Sequence, residues 1–321
     1  MDHRSRGSNR SEALIAKFCD RAFLRMWSYA NPFARPTKEL CDILVAHDDA
    51  LVLFSIKECA FGESGDDKLD WQRWYRRAIS KSAKQIQGAE RWLRRNPSQV
   101  FLDPRCTKLL PTPISPDARI HRVVVPIGAA QAWLRVGLER HGFTIAPQVT
   151  GDSHFMTVGT VGDPREFIHV FDEPTLLILL NELDTTPDFI AYLTERQRFI
   201  ESGKLAWAPD EEGLLALYLD PDNPQQEYEF PTPPEPIIAA GGWEALTASL
   251  AARRTANTAS YTWDVAIETL AQTATGDANG ELEKVLRIMS SESRLARRWL
   301  SDAMVQSPPS GYTKARYAIS R

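Results

Sequence analysis

The sequence predicts an α/β protein, in which helices flank a central mixed sheet that is followed by an α+β region and a helical C-terminal tail. Two β-rich runs, 39–46 and 50–58, enclose a short polar turn, and a long helical pattern follows at 70–95. A further β-rich run comes at 120–127. With 321 residues, 43% of them hydrophobic and 25% charged, the chain can bury a sizeable core and has the length of roughly two domains.

The first elements in chain order are a helix and a hairpin. Residues 11–28 carry apolar side chains at helical spacing. The next two runs predict a β-hairpin closed by a two-residue turn, Asp48-Asp49. This turn pairs His47 with Ala50, so that the numbers of any two paired residues sum to 97.

This register brings three polar side chains to one face at the open end of the hairpin. Asp42 lies opposite Ser55, and Lys57 lies on the same face because side chains alternate along a strand. The rest of the hairpin is apolar on both faces, which is typical of strands in the middle of a covered sheet. A carboxylate and an ammonium group are costly there. They indicate either a functional site or an ion pair at the rim of the sheet.

The long helix predicted at 70–95 is strongly basic, and Asp70 is its predicted N-terminal cap. After this cap it carries eight lysines and arginines against one acid, Glu90, a pattern typical either of a solvated face or of a face that contacts phosphates. Helical spacing predicts an inward-facing stripe that Lys81 and Gln85 interrupt. The stripe consists of Trp74, Ala78, Lys81, Gln85, Gly88 and Trp92. Polar groups in a packed face need partners, and a site at the end of the hairpin would supply them.

These elements together resemble the core of the PD-(D/E)xK, or restriction-endonuclease-like, nuclease superfamily. The resemblance covers about residues 11–126, and the segment 38–59 (KELCDILV…LVLFSIKEC) is also similar to uncharacterised bacterial nuclease-like proteins. It implies a restriction-endonuclease-like central sheet and one or two Mg²⁺ (or Mn²⁺) ions at the site. Asp42 corresponds to the Asp of the family motif, and Lys57 corresponds to its Lys.

One position departs from the family pattern, because Ser55 stands where the second carboxylate is expected. Glu39, three residues before Asp42, and Glu12, in the first helix, are the candidates to complete the metal site. Glu39 faces away from Asp42 if the strand includes it, and reaches the site if the strand begins at Leu40. The Ser55 hydroxyl would hydrogen-bond a water on the metal.

The resemblance implies a metal-dependent endo- or exonuclease that acts on DNA rather than RNA, in bacterial DNA processing or defence. Asp42 and a glutamate would hold the ion, and Lys57 would orient the attacking water or stabilise developing charge. The expected nucleic-acid contacts are Arg73, Arg77, Lys81, Lys84, Gln85 and Arg91.

Two alternatives remain open. One is a catalytically inactive nucleic-acid-binding or assembly subunit, in which Ser55 marks the loss of metal binding. The other is a subunit whose acidic middle region covers the basic face until a partner displaces it. A homodimer or a protein partner bound through the acidic or C-terminal helical region is compatible with each of them.

Charge is distributed unevenly, although the formal net charge is only −4. Residues 1–110 hold 20 Lys and Arg against 14 Asp and Glu, whereas residues 161–235 hold 4 against 17. The predicted organisation is a nuclease-like domain (1–130), an acidic α+β region (131–220), a Pro-rich linker or loop (221–237) and a helical C-terminal region (238–321).

The later elements are predicted from the same kinds of pattern. A strand is predicted at 167–171, and a hairpin is predicted from 205–207 and 214–219. The predicted helices are 173–183, 187–200, 243–253, 262–273 and 281–305.

Several classes of protein are disfavoured by what the sequence lacks. Its four cysteines have no metal-site spacing, which argues against structural zinc. The N-terminal residues lack the apolar core of a signal peptide, and no apolar run approaches the ~18 residues of a membrane span. We therefore expect a cytoplasmic protein with no membrane partner. The sequence has no P-loop, GxGxxG or GxSxG motif, which argues against nucleotide-powered, dinucleotide-dependent and α/β-hydrolase chemistry.

Overall fold

A computed structural model of the chain describes residues 10–135, 142–163, 165–219, 228–273 and 281–306. Its first part runs from helix α1 through five short strands and a long helical crossover to a sixth strand. These elements are α1 (Arg10–Phe23), β1 (Ser28–Ala30), β2 (Phe33–Arg35), β3 (Lys38–Glu39), β4 (Ile43–His47), β5 (Ala50–Glu58), α2 (Asp67–Tyr75), a π-helical segment (Arg76–Ser80), α3 (Lys81–Arg95) and β6 (Arg119–Ile127).

The second part alternates short strands with helices and then becomes helical. Its elements are α4 (Ala130–Arg135), β7 (Thr144–Thr150), β8 (Thr157–Thr160), β9 (Ile168–Val170), α5 (Glu173–Glu182), α6 (Thr186–Glu201), β10 (Leu205–Trp207), α7 (Glu211–Tyr218), β11 (Ile237–Ile238), α8 (Trp243–Asn257), α9 (Tyr261–Thr273), α10 (Glu281–Ser290) and α11 (Arg294–Gln306).

The central sheet is mixed, as predicted. Within the described residues it has five strands in the order β1-β4-β5-β6-β9. The first three form an antiparallel meander, and β5, β6 and β9 run parallel to one another. The predicted hairpin register is confirmed, since the pairs run from Ile43 with Phe54 to His47 with Ala50.

Helices cover both faces of this sheet. On one face, Val52 and Phe54 belong to an apolar core that they share with α1, α5 and α6. On the other face, Leu44 and Leu53 pack with Ile86 of α3. Both strands of the hairpin are therefore buried along nearly their whole length, and the exposed residues are Asp48 and Asp49 of the turn and Lys57 and Glu58 at the open end.

The apolar core continues across the predicted domain boundary at residue 130. Strand β9 extends the same sheet, and Leu250 of α8 belongs to the same core cluster as Val52. The sheet and its covering helices thus draw on residues from both sides of that boundary. Residues 221–227 of the predicted linker lie outside the described residues.

The predicted hairpin at 205–207 and 214–219 is wrong in its second half. Residues Glu211–Tyr218 form a helix, which Asp210 caps by accepting a hydrogen bond from the Gly213 N–H at 2.9 Å. Strand β10 pairs instead with β11, in parallel. The single helix predicted at 281–305 is two helices, α10 and α11, separated at 291–293.

The predicted cap of the basic helix is also corrected. Asp66 is the N-cap of α2, and its Oδ1 accepts a hydrogen bond from the Leu69 N–H at 3.0 Å. Asp70 lies in the first turn, where it is buried and accepts a hydrogen bond from the Ser64 N–H at 2.8 Å.

The C-terminal helices pack against the closed end of the hairpin. His47 Nε2 lies 2.8 Å from Ser290 Oγ, which also accepts a hydrogen bond from Trp27 Nε1 at 3.1 Å. Asp48, in the hairpin turn, accepts a hydrogen bond from Ser291 Oγ at 2.9 Å. The strand pair is therefore held at its turn by residues more than 240 positions later in the chain.

Two buried arginines tie α11 to its neighbours. Arg294 bonds to Asp184, before α6, and to Asp264 of α9, at 2.8 Å in each case. Arg297 bonds to the same Asp264 at 2.6 Å. Burying charges is unfavourable unless they are paired and hydrogen-bonded, and these contacts supply the pairing. None of the helices in the described ranges combines the length and apolarity needed to cross a bilayer.

Candidate functional site

The candidate site lies at the open end of the hairpin, next to the carboxyl-terminal ends of β5 and β6. Asp42 immediately precedes β4, and Lys57 lies at the end of β5. Because β4 runs antiparallel to β5, these two positions come to the same edge. The loops at the carboxyl ends of parallel strands are a common place for ligand sites in α/β proteins.

Asp42 is held across the hairpin from the segment that contains Ser55. Its backbone N–H donates to the Phe54 carbonyl at 3.1 Å, and its side-chain Oδ2 accepts from the Ile56 N–H at 2.5 Å. The observed pairing ends at Ile43 with Phe54, so the predicted pair of Asp42 with Ser55 lies just beyond the regular ladder. The Asp42 carboxylate is fixed by the backbone of the neighbouring strand, while Ser55 is only 2% exposed.

The structure brings Glu12 and Glu39 into electrostatic range of Asp42. Burial and the charges of these two glutamates raise the pKa of Asp42 to about 6, and the Ile56 N–H and Lys57 oppose the shift. Burial and the charge of Glu12 likewise raise the pKa of Glu39, which a hydrogen bond from Asn31 partly offsets. Three carboxylates from three elements therefore crowd one region.

Glu39 belongs to β3, which pairs with β2, and the central strand β4 begins only at Ile43. The condition under which Glu39 reaches Asp42 is thereby met, because Glu39 is not part of the regular hairpin. Lys57 is exposed at the rim, where its ammonium group is available to a ligand.

The described acidic side chains around Asp42 do not form a complete set of metal ligands. Within the described ranges, no group of three or more His, Cys, Asp or Glu side chains could hold a metal ion. Mg²⁺ is usually bound by one or two carboxylates together with waters and substrate phosphates. Glu12 and Glu39 are the carboxylates whose charges act on Asp42.

The basic helix presents its predicted contact residues to solvent. All six are exposed: Arg73, Arg77, Lys81, Lys84, Gln85 and Arg91. The prediction that Lys81 and Gln85 interrupt an inward-facing stripe is wrong. The π-helical segment inserts a wider turn, in which the Lys81 N–H donates to the Arg76 carbonyl. This turn rotates all later residues, so that Ala83, Ile86 and Leu93 face the sheet instead.

A groove that the sequence did not predict lies beside the candidate site. Its volume is about 280 Å³, and it runs between α3 and the β2–β3 hairpin. The lining residues are Ala34, Lys38, Glu39, Leu40, Lys84, Gln85, Gly88, Ala89 and Trp92. Glu39 belongs both to this groove and to the group of acids around Asp42. A glycine inside a helical pattern was the only sequence signal for it.

Comparisons with known proteins identify no relative of this chain. No protein family, curated protein or solved structure matches the chain. The function is therefore argued from the site itself.

Proposed function

We propose that this protein is a metal-dependent nuclease that hydrolyses phosphodiester bonds of nucleic acid, with DNA rather than RNA as the substrate. The observation that carries the proposal is the convergence of Asp42 and Lys57 at one end of a buried hairpin, with Glu12 and Glu39 alongside. Surrounding elements agree with it: a helix, an antiparallel meander, a helical crossover and a parallel strand follow one another, as expected for a restriction-endonuclease-like core.

In this mechanism each side chain has a distinct task. Asp42, ionised above a pH of about 6, and a neighbouring glutamate would hold Mg²⁺ or Mn²⁺. When bound, the ion supplies a Lewis acid that activates water and neutralises phosphate charge. Lys57 would stabilise the negative charge that develops on the phosphate. Exposed basic residues of α2 and α3 would hold the neighbouring phosphates of the substrate.

The direct test is Lys57→Ala, with Lys68→Ala as a control that removes the same charge from another exposed position. We expect Mg²⁺-dependent cleavage of DNA to fall by about 100-fold or more, the usual effect of losing a group that stabilises transition-state charge. The melting temperature should not change, because Lys57 is exposed. Equal cleavage by the wild type and Lys57→Ala, or cleavage that persists in EDTA, would refute the assignment.

A second candidate function is favoured by Ser55. It is buried where the family pattern has a second carboxylate, and no three-ligand group is found among the described residues. A nuclease-fold subunit that binds nucleic acid without cleaving it would have these properties.

Calorimetric titration with Mg²⁺ and Mn²⁺ separates the two functions. The nuclease predicts a binding site in the wild type that disappears in Asp42→Asn, because the amide removes the anionic ligand. The binding subunit predicts no site in either protein. Salt-dependent affinity for DNA would not distinguish them, since both functions predict it.

A further inference from the structure

The groove between α3 and the β2–β3 hairpin has the size and chemistry of a ligand site. Its volume of about 280 Å³ is close to the lower end of the range for small-molecule pockets, ~300–1,000 Å³. Half-buried Trp92 and the apolar side chains of Ala34, Leu40 and Ala89 form one part of its lining. Exposed Lys38 and Lys84 form another.

Gly88 is the feature of this groove that protein packing does not explain. A glycine in the interior of a helix is unfavourable relative to alanine. A Cβ atom at position 88 would meet nothing closer than Arg91 Nη2, at 4.0 Å. At Gly128, by contrast, a Cβ atom would lie 2.1 Å from the Cys59 carbonyl oxygen. Gly88 is therefore not required by a neighbouring protein atom, and its missing side chain leaves the groove open.

The lining combines an aromatic and apolar surface with two lysines, an amide and, on the side toward Asp42, the carboxylate of Glu39. An aromatic side chain can stack on any base, and basic side chains beside it neutralise the phosphate. Lys38 and Lys84 line the groove, and Arg91 lies next to Gly88. The Gln85 amide can donate and accept hydrogen bonds with a base edge. A nucleotide is the ligand that uses the aromatic, basic and amide groups together.

We propose that this groove binds one unpaired nucleotide of a single-stranded nucleic acid, adjacent to the bond at the candidate site. The placement of this nucleotide next to the cleaved bond rests on the proposed function, because Glu39 connects the groove to Asp42. A base-paired duplex does not fit this role, since its bases are stacked and paired with each other and offer no free face to Trp92. The substrate class is therefore nucleic acid with a single-stranded segment at the cleavage site.

The test measures binding in EDTA, where metal-dependent cleavage is absent. Fluorescence anisotropy of a labelled 12-nucleotide oligo-dT reports affinity for the full chain and for Gly88→Leu, which fills the groove. Loss of one base-stacking contact corresponds to roughly 5- to 150-fold weaker binding, and we expect an effect in that range. Gly88→Ala, which adds one methyl group, should stay within about threefold of the wild type. A leucine or alanine favours the helix more than glycine, so neither variant should lower the melting temperature.

A charge-matched pair gives a second measurement. Lys84 lines the groove, whereas Arg95 is exposed on the same helix and does not line it. Lys84→Ala should weaken oligo-dT binding clearly more than Arg95→Ala. Equal effects of these two variants, or unchanged affinity of Gly88→Leu, would overturn the inference. A 12-base-pair duplex that loses affinity in Gly88→Leu as strongly as the single strand would overturn it as well.

Failure of this inference and failure of the proposed function give different results. If oligo-dT binding depends on Gly88 but no metal-dependent cleavage is found, the groove assignment stands and the nuclease assignment falls. If Lys57→Ala abolishes cleavage while Gly88→Leu leaves oligo-dT binding unchanged, the nuclease stands and the groove assignment falls.

Discussion

Asp42 occupies a position that the fold itself makes unfavourable for a charged group. Burial and the neighbouring Glu12 and Glu39 raise its pKa to about 6. A carboxyl group whose pKa is higher in the folded than in the unfolded state destabilises the fold once it ionises. A buried carboxylate that destabilises the fold, such as that of Asp42, is more readily explained by function than by stability.

We therefore expect Asp42→Asn to stabilise the protein while abolishing metal binding. The amide oxygen can still accept the Ile56 N–H, and the charge repulsion is removed. One pKa unit corresponds to about 1.4 kcal/mol, so the free energy of unfolding should rise by on the order of 1–3 kcal/mol at pH 8. The gain should shrink as the pH falls below about 6, because Asp42 of the folded wild type becomes protonated. Urea denaturation at pH 8 and pH 4.5 measures both effects.

The control for this prediction is Asp117→Asn, which neutralises an exposed acid. It should change the free energy of unfolding little at either pH. If Asp42→Asn is no more stable than the wild type at pH 8, the carboxylate is not under the electrostatic strain described above.

Among the elements, the central hairpin was predictable and the crossover helix was only partly so. A two-residue turn fixes the register of both strands, so the pairs from Ile43 with Phe54 to His47 with Ala50 could be placed from residue numbers alone. The position of Lys81 depended on helical phase over many residues. One wider turn at 76–80 rotates everything after it, and the residues 76–80 carry no recognisable signal for that turn.

Helix α7 shows why short apolar runs are ambiguous. The run 214–219 suits a buried strand or a buried helix equally well by its apolar content. Asp210 decides the outcome, because its carboxylate accepts the Gly213 N–H and begins a helix. Asp210 lies in the interval between the two predicted strands, 205–207 and 214–219, and a turn there would account for it equally well.

The contact between the hairpin turn and α10 predicts a pH-dependent stability. Burial and the charges of Arg287 and Arg297 together lower the pKa of His47 to about 4, against the opposing effect of Asp48 and Asp49. The neutral ring bonds to Ser290. Since the unfolded histidine has a pKa near ~6.5, this group contributes stability above that pH, and the contribution is lost as the pH falls toward 4.

His47→Gln should therefore flatten the dependence of unfolding free energy on pH between 7.5 and 4.5. The pKa shift corresponds to on the order of 3 kcal/mol over that range. The control is His154→Gln, at an exposed position, which should retain the slope of the wild type. Denaturant titrations at several pH values give the slopes, and identical slopes for His47→Gln and the wild type would contradict the expectation.

At the scale of the whole molecule, several buried acids in the acidic middle of the chain are paired with arginines. Glu211 pairs with buried Arg196, and Asp184 pairs with buried Arg294. The sequence showed an excess of acid there but could not show these pairs, because the partners lie 15 and 110 positions away and follow no local pattern. The regional charge count therefore located the exposed basic residues of α2 and α3, but it could not locate the buried ion pairs of the acidic segment.

The hairpin has a different neighbour at each end, and this has a consequence for how the chain folds during synthesis. The candidate site lies at its open end. At its closed end, His47 contacts Ser290, which is synthesised 243 residues later. Ribosomes add about 5–20 residues per second, so the hairpin turn and Trp27 remain uncovered for roughly 12–50 s after they leave the ribosome. During that interval the nascent chain exposes Trp27 and His47, which the C-terminal helices cover in the folded protein.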